Sequence, residues 1–127
     1  AGEGVEIRLI VRSACCMQID DGGHNIRIIS IVDRFLEHAR MIIFHNGGDE
    51  NVFIMSADFM PRNLNFRIEV GISVSDEKIK QTLKDIFDIQ WSDNVKARDL
   101  ENNYVKTEGD RSRRSQLELY EYFRNSE

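Results

Sequence analysis

Up to residue 74 the apolar residues of this chain stand in short β-branched runs, and from residue 77 onward they recur at helical spacing. Glu6 to Arg12 is a run fit for a strand. Ile26 to Val32 is another, nearly unbroken and so suited to burial on both faces. Between them a loop is expected at Asp20-Asp21-Gly22-Gly23. Met41 to Phe44 and Val52 to Met55 flank Asn46-Gly47-Gly48-Asp49, the pattern of an antiparallel hairpin. The segment from Ser56 to Asn65 holds the only proline, Pro61, and predicts irregular chain or a short helical turn. Phe66 to Val74 returns to strand character.

Ser75-Asp76-Glu77 predicts a helix start, with the Ser75 hydroxyl as cap and acids at the positive end of the dipole. Ile79, Leu83, Ile86 and Phe87 should then face a sheet. Leu100 to Arg114 is polar and without period, which predicts a mobile loop. Ser115 and Glu118 match a capping box, and Leu117, Tyr120 and Phe123 give the last helix an apolar stripe. Trp91 and the Phe and Tyr residues at helical spacing are expected in the core. This order of elements predicts an α/β domain with a mixed β-sheet flanked by helices, occupying residues 1–127 as one domain.

A chain of 127 residues with 41% hydrophobic content can bury a real core. No apolar run approaches the roughly 20 residues that span a bilayer, and no basic segment precedes an apolar one at the start. A soluble, cytoplasmic protein is expected. The chain begins without methionine and just before a strand, as an excised part of a longer polypeptide would. Cys15 and Cys16 are adjacent in an apolar stretch and are expected as buried, reduced thiols. The net charge of -5 argues against a nucleic-acid binder. Distribution says more than the total. Arg8, Arg12, Arg27, Arg34, Arg40, Arg62 and Arg67 are the cations of the first 77 residues, while every lysine lies from Lys78 onward. Arginine presents a rigid fork to phosphate oxygens, whereas lysine is a mobile point charge.

The densest chemistry runs from His38 to Glu69: His38-Ala39-Arg40, the glycine turn, Ser56-Ala57-Asp58, Arg62-Asn63 and Arg67-Ile68-Glu69. On a strand, His38 and Arg40 would share one face. Ser56 and Asp58 would emerge near the His38 end of the hairpin. Plainer readings stand beside these. His24 and His45 are expected to be structural or exposed, Asp58 could cap the following turn, and Arg34 and Arg40 could pair with Glu37 or Asp33.

Leu9-Ile10-Val11-Arg12, Cys15-Cys16, Ser30 to His38, Asn46-Gly47-Gly48-Asp49, Ser56 to Asn63, Arg67 to Val70 and Asp93 to Arg98 together resemble the C-terminal catalytic domain of bacterial polyphosphate kinase. The resemblance covers nearly the whole chain. That domain belongs to the phospholipase D-like superfamily, whose half-sites carry His-x-Lys, a downstream Asp, a Gly-Ser-x-Asn turn and a later Glu. Here Arg40 replaces the lysine, His45 takes the acidic position, Met55-Ser56-Ala57-Asp58 stands in the turn and Glu69 matches the later glutamate.

The resemblance implies reversible transfer of the terminal phosphate of ATP to polyphosphate, with magnesium. It implies ATP, ADP and polyphosphate as partners, together with the remaining domains of the same polypeptide and a homo-oligomer in the full-length enzyme. No nucleic acid or membrane span is implied, and peripheral membrane association of the full-length enzyme stays open. Arg12 resembles the arginine on the nucleotide's phosphates, and His38 the second active-site histidine. The phosphohistidine and the magnesium ligands would lie in a preceding domain, leaving this part inactive alone. Phosphoryl transfer depends on positioning and electrostatics, for which Arg12 and Arg67 are suited. A carboxylate on the far nitrogen of His38 would fix its tautomer, and Glu69 is the candidate orienter. Arg12, His38 and Arg67 would then converge on one cleft. Two other readings remain: a non-catalytic phosphate or polyanion-binding module, and a phospholipase D-like phosphodiesterase half-site, the latter weakened by Arg40 in place of lysine.

Overall fold

The structure is a computed structural model and describes residues 4–12, 15, 25–101, 103–105 and 111–125. The expected loop at residues 20–23, together with Cys16 and His24, lies outside the described residues. The chain forms two compact units, Ala1–Glu37 with Phe87–Glu127, and His38–Ile86.

In the first unit the isoleucine-rich runs become β1 (Ile7–Ile10) and β2 (Ile26–Ile31). They pair in parallel from Ile7↔Ile26 to Ile10↔Ile29. A short β6 (Ala97–Arg98) adds antiparallel to β2 through Ser30↔Arg98 and Ile31↔Ala97, so this three-stranded sheet is mixed, with β2 in the centre. Central placement explains the apolar continuity of β2, in which Ile28, Ile29 and Ile31 are buried. Ile29, Ile31 and Ala97 form the core, with Ile10, Trp91 and Val105 packed against it. Trp91 stacks on Phe87 and carries Arg8 and Arg27 at 5.9 and 5.7 Å from its ring centre. Cys15 is a half-buried free thiol.

In the second unit β3 (Met41–Phe44) and β4 (Asn51–Met55) make the expected hairpin, in register from Met41↔Ile54 to Phe44↔Asn51. A single 3₁₀ turn, Asn46–Gly48, closes it. Asn46, Gly47 and Gly48 all have positive φ, and glycine takes that geometry without steric cost. The next element is α1 (Pro61–Phe66), with proline in the first helical turn. β5 (Gly71–Val74) then pairs antiparallel with β4, completing a second three-stranded sheet. Val52 and Val74, partners in that register, are both buried. The helix α2 spans Glu77–Trp91 and α3 spans Ser115–Arg124.

Several expectations change. The fold is mixed α/β, but with two small sheets instead of one. The strand expected over residues 66–74 is confined to Gly71–Val74, because α1 runs to Phe66 and β4 ends at Met55, the register partner of Gly71. Ile68 is left fully exposed. The cap of α2 is Asp76 and not Ser75: Oδ1 of Asp76 accepts from the N–H groups of Lys78 and Ile79 at 2.9 and 3.0 Å. Ile79 is exposed, whereas Leu83, Ile86 and Phe87 are half-buried. Within the expected polar loop, Tyr104 pairs with Arg98 in an isolated β-bridge and the Val105 N–H donates to the Ala97 carbonyl. On α3, Leu117, Tyr120 and Phe123 are exposed. Among the described residues no helix is long and apolar enough to cross a membrane.

Candidate active site

His38, Ala39 and Arg40 immediately precede β3, and the Arg40 carbonyl accepts from the Met55 N–H at 3.0 Å, prolonging the hairpin by one bond. The spacing of two brings the side chains together as expected: Arg40 Nη2 lies 3.0 Å from Nε2 of His38. The other edge of the guanidinium is committed as well. Arg40 Nε donates to Oδ1 of Asp58 at 2.7 Å, so Asp58 does emerge at the His38 end of the hairpin. Its carboxylate is engaged with Arg40 instead of simply capping a turn. This ion pair is mostly shielded, with side-chain exposures of 20% for Arg40 and 25% for Asp58. Asp58 holds the guanidinium proton more firmly than usual, raising the pKa of Arg40.

Glu69 stands on the segment between α1 and β5 and is held from two sides. Ser56 Oγ donates to Oε2 of Glu69 and itself accepts the Val70 N–H at 3.0 Å. Asn63 Nδ2, from buried α1 residue Asn63, donates to Oε1 at 2.7 Å. These two donors hold the Glu69 carboxyl below the usual carboxylate range, helped by the charges of Arg67 and Arg40. The expected bond from Glu69 to His38 is therefore replaced. Ser56 and Asn63 take the carboxylate oxygens, and Arg40 takes the imidazole. The side-chain oxygen of Asn63, Oδ1, is buried without a hydrogen-bond partner among the described residues.

Arg67 is exposed at the C-terminal end of α1 and acts on Glu69 through its charge. Arg12 belongs to the first unit, where Nη1 donates to the Glu37 carbonyl at 3.3 Å. The carboxylates that were candidate partners of Arg34 and Arg40 are claimed elsewhere. Asp33 is gripped by Arg114 at 2.8 and 2.6 Å, and Glu37 accepts from Gln90 and Gln116, each at 2.7 Å. His45 is exposed and 3.9 Å from Glu50. Among the described residues no group of three or more His, Cys, Asp or Glu could hold a metal ion.

Ser56 and Asn63 were legible only as parts of a motif. Their task as twin donors to one carboxylate depends on α1 folding back toward the end of β4, which residue spacing alone does not reveal. The single signal was a polar residue inside a short helical stretch that follows a proline.

A family model described as the polyphosphate kinase C-terminal domain 2 matches residues 1–118. The chain is 46% identical over 133 residues to a polyphosphate kinase of Salmonella typhimurium, covering 100% of this chain and 19% of the relative. It is 48% identical over 130 residues to a polyphosphate kinase of Vibrio vulnificus, covering 98% of this chain and 19% of the relative. The crystal structure of polyphosphate kinase from Porphyromonas gingivalis superposes with a TM-score of 0.89 at 43% identity, covering 97% of this chain and 20% of that one. The chain thus spans about a fifth of the length of these relatives.

Proposed function

Because the chain belongs to the polyphosphate kinase C-terminal domain 2 family, we propose that it supplies part of the catalytic centre of a polyphosphate kinase, which reversibly transfers the terminal phosphate of ATP to polyphosphate. The observation that carries this reading is the joined set His38, Arg40 and Asp58 in the second unit, beside a Glu69 on which Arg40 and Arg67 both act. Moving a phosphoryl group needs little covalent work from the protein and much fixed positive potential around the equatorial oxygens. Arg67 supplies an exposed fork for those oxygens. His38 touches the transferring group, Arg12 contacts the nucleotide's phosphates, and Glu69 acts as a positioning residue through Ser56 and Asn63.

In this proposal the chain serves as one domain, and Arg12, His38 and Arg67 each act on phosphate groups. Magnesium accompanies the nucleotide, and no ligand for it is assigned to this chain. The remaining domains of a longer polypeptide, a homo-oligomer and a cytoplasmic setting belong to the same proposal.

The test uses the protein as its gene encodes it, given ATP and magnesium, with polyphosphate formation and its reversal by ADP both followed. His38→Gln should cut both directions by roughly 10² to 10³-fold, the scale of losing one oriented group beside the developing charge. Turnover unchanged in that variant overturns the assignment.

A further inference from the structure

The contact between His38 and Arg40 restricts where the imidazole can keep its proton. A guanidinium carries N–H donors and no acceptor, so at 3.0 Å Arg40 Nη2 must donate and Nε2 of His38 must accept. An imidazolium has no lone pair to offer. The neutral tautomer with hydrogen on Nε2 would set two donors against each other. What remains is the neutral ring with its proton on Nδ1.

Arg40 is not free to turn away from this contact. Its Nε donates to Asp58 at 2.7 Å, a charge-assisted bond in a largely shielded place, and its carbonyl is tied to the Met55 N–H. The guanidinium is planar and rigid, so fixing Nε also fixes the direction of Nη2. The carboxylate that the sequence offers as a partner for His38 is engaged elsewhere, since Glu69 takes Ser56 on one oxygen and Asn63 on the other.

We infer that Arg40, anchored by Asp58, is a positioning residue that holds His38 as a neutral imidazole protonated on Nδ1. In the reaction proposed above, on which this consequence rests, the ring gives a phosphoryl oxygen an N–H hydrogen bond. The proton stays on Nδ1, and no bond to the ring is made or broken. The arginine that replaces the lysine of the superfamily pattern thus bridges Asp58 and His38 at once. A lysine ammonium has no planar fork to aim two donors in fixed directions.

The experiment is nitrogen-15 magnetic resonance on the protein as its gene encodes it, with histidine rings labelled and no nucleotide added. His38→Gln serves to identify the His38 signals by difference. The expected spectrum shows His38 Nδ1 protonated and Nε2 unprotonated. In Arg40→Leu the Nε2 signal should shift toward the protonated range, while the backbone amide spectrum away from the site is unchanged. Protonated Nε2 in the unaltered protein overturns the inference, whatever the variant does. Retention of the Nδ1–H pattern in a folded Arg40→Leu protein overturns it too. Turnover is not part of this readout, so failure of the kinase assignment and failure of the tautomer assignment are separate results.

Discussion

The carboxylate of Asp93 begins helix α3 from twenty-two positions away: Oδ2 accepts from both the N–H and the hydroxyl of Ser115, at 2.8 and 2.7 Å. Its Oδ1 meanwhile accepts from the N–H groups of Val95, Lys96 and Ala97. Asp93 and Ser115 are both buried. The first N–H groups of a helix have no intrahelical partner, and here a distant carboxylate takes the place of a local cap. Asp93→Ala should destabilise the fold by about 3 kcal/mol, because several buried donors lose their acceptor together. Chemical denaturation with helix content as the signal measures it.

The same residue sets an acid limit. Burial alone would raise the Asp93 pKa, but the N–H groups of Lys96, Ser115 and Val95 and the Ser115 hydroxyl outweigh it and hold the carboxyl below its ordinary value. A group with a depressed folded pKa stabilises above its unfolded pKa, and that contribution fades as pH falls through the folded value. Unfolding free energy should therefore decline below about pH 4. Asp93→Asn should be less stable at neutral pH and show a shallower decline in acid. Equal slopes for the two proteins would assign the acid sensitivity to other carboxylates.

The third prediction concerns the chain by itself. Supplied with ATP and magnesium, the 127-residue chain should form no polyphosphate, because it spans about a fifth of its relatives and the proposed site needs groups outside it. The checks are chain formation and nucleotide consumption. Sustained turnover abolished by His38→Gln would mean that this chain holds a complete site.

Local patterns in the sequence carried the elements whose cause is local. The β2 and hairpin strands were legible because β-branched runs and a glycine turn decide them, and His38 meets Arg40 because a spacing of two selects one face. What escaped depends on distant partners. Ser115 matches a capping motif, yet its hydroxyl is spent on Asp93. Phe66, Ile68 and Val70 have strand chemistry but no strand beside them, since β4 ends opposite Gly71. Glu69 fits the superfamily position for a histidine partner, but α1 delivers Asn63 to it first. In each case a residue with several possible bonds was assigned by the nearest motif, whereas tertiary packing chose the partner.

Glu69→Gln tests the clamp. The amide keeps the shape of the carboxylate but loses its charge, and with its oxygen on Asn63 Nδ2 its N–H faces Ser56 Oγ, which must accept where it now donates. Two charge-assisted bonds become neutral ones, which loosens the link between the end of β4, α1 and the approach to β5. In the protein as its gene encodes it, the transfer rate should fall more than the KM for ATP rises, since the loss is of position and not of nucleotide contact. An equal change in both would assign Glu69 to substrate binding. An unchanged rate would leave it as an ordinary structural acceptor.

Arg67 should behave differently from Arg40, although both act on Glu69. Arg40 is spent on Asp58 and His38, whereas among the described residues no hydrogen bond or close ion pair engages the Arg67 guanidinium. An exposed fork at the end of α1 is available to phosphate oxygens, and two parallel N–H donors match two such oxygens better than one ammonium does. Arg67→Lys retains the charge and removes the fork. It should lower kcat/KM for transfer by on the order of 10²-fold, the scale of losing one oriented donor to developing charge. Fold stability should change little, because the side chain has no internal partner to lose. The pair of measurements is steady-state kinetics and thermal unfolding on the same variant. Full activity in Arg67→Lys would show that charge alone suffices at this position, and a large fall in Tm with proportionate loss of rate would place Arg67 in the scaffold instead.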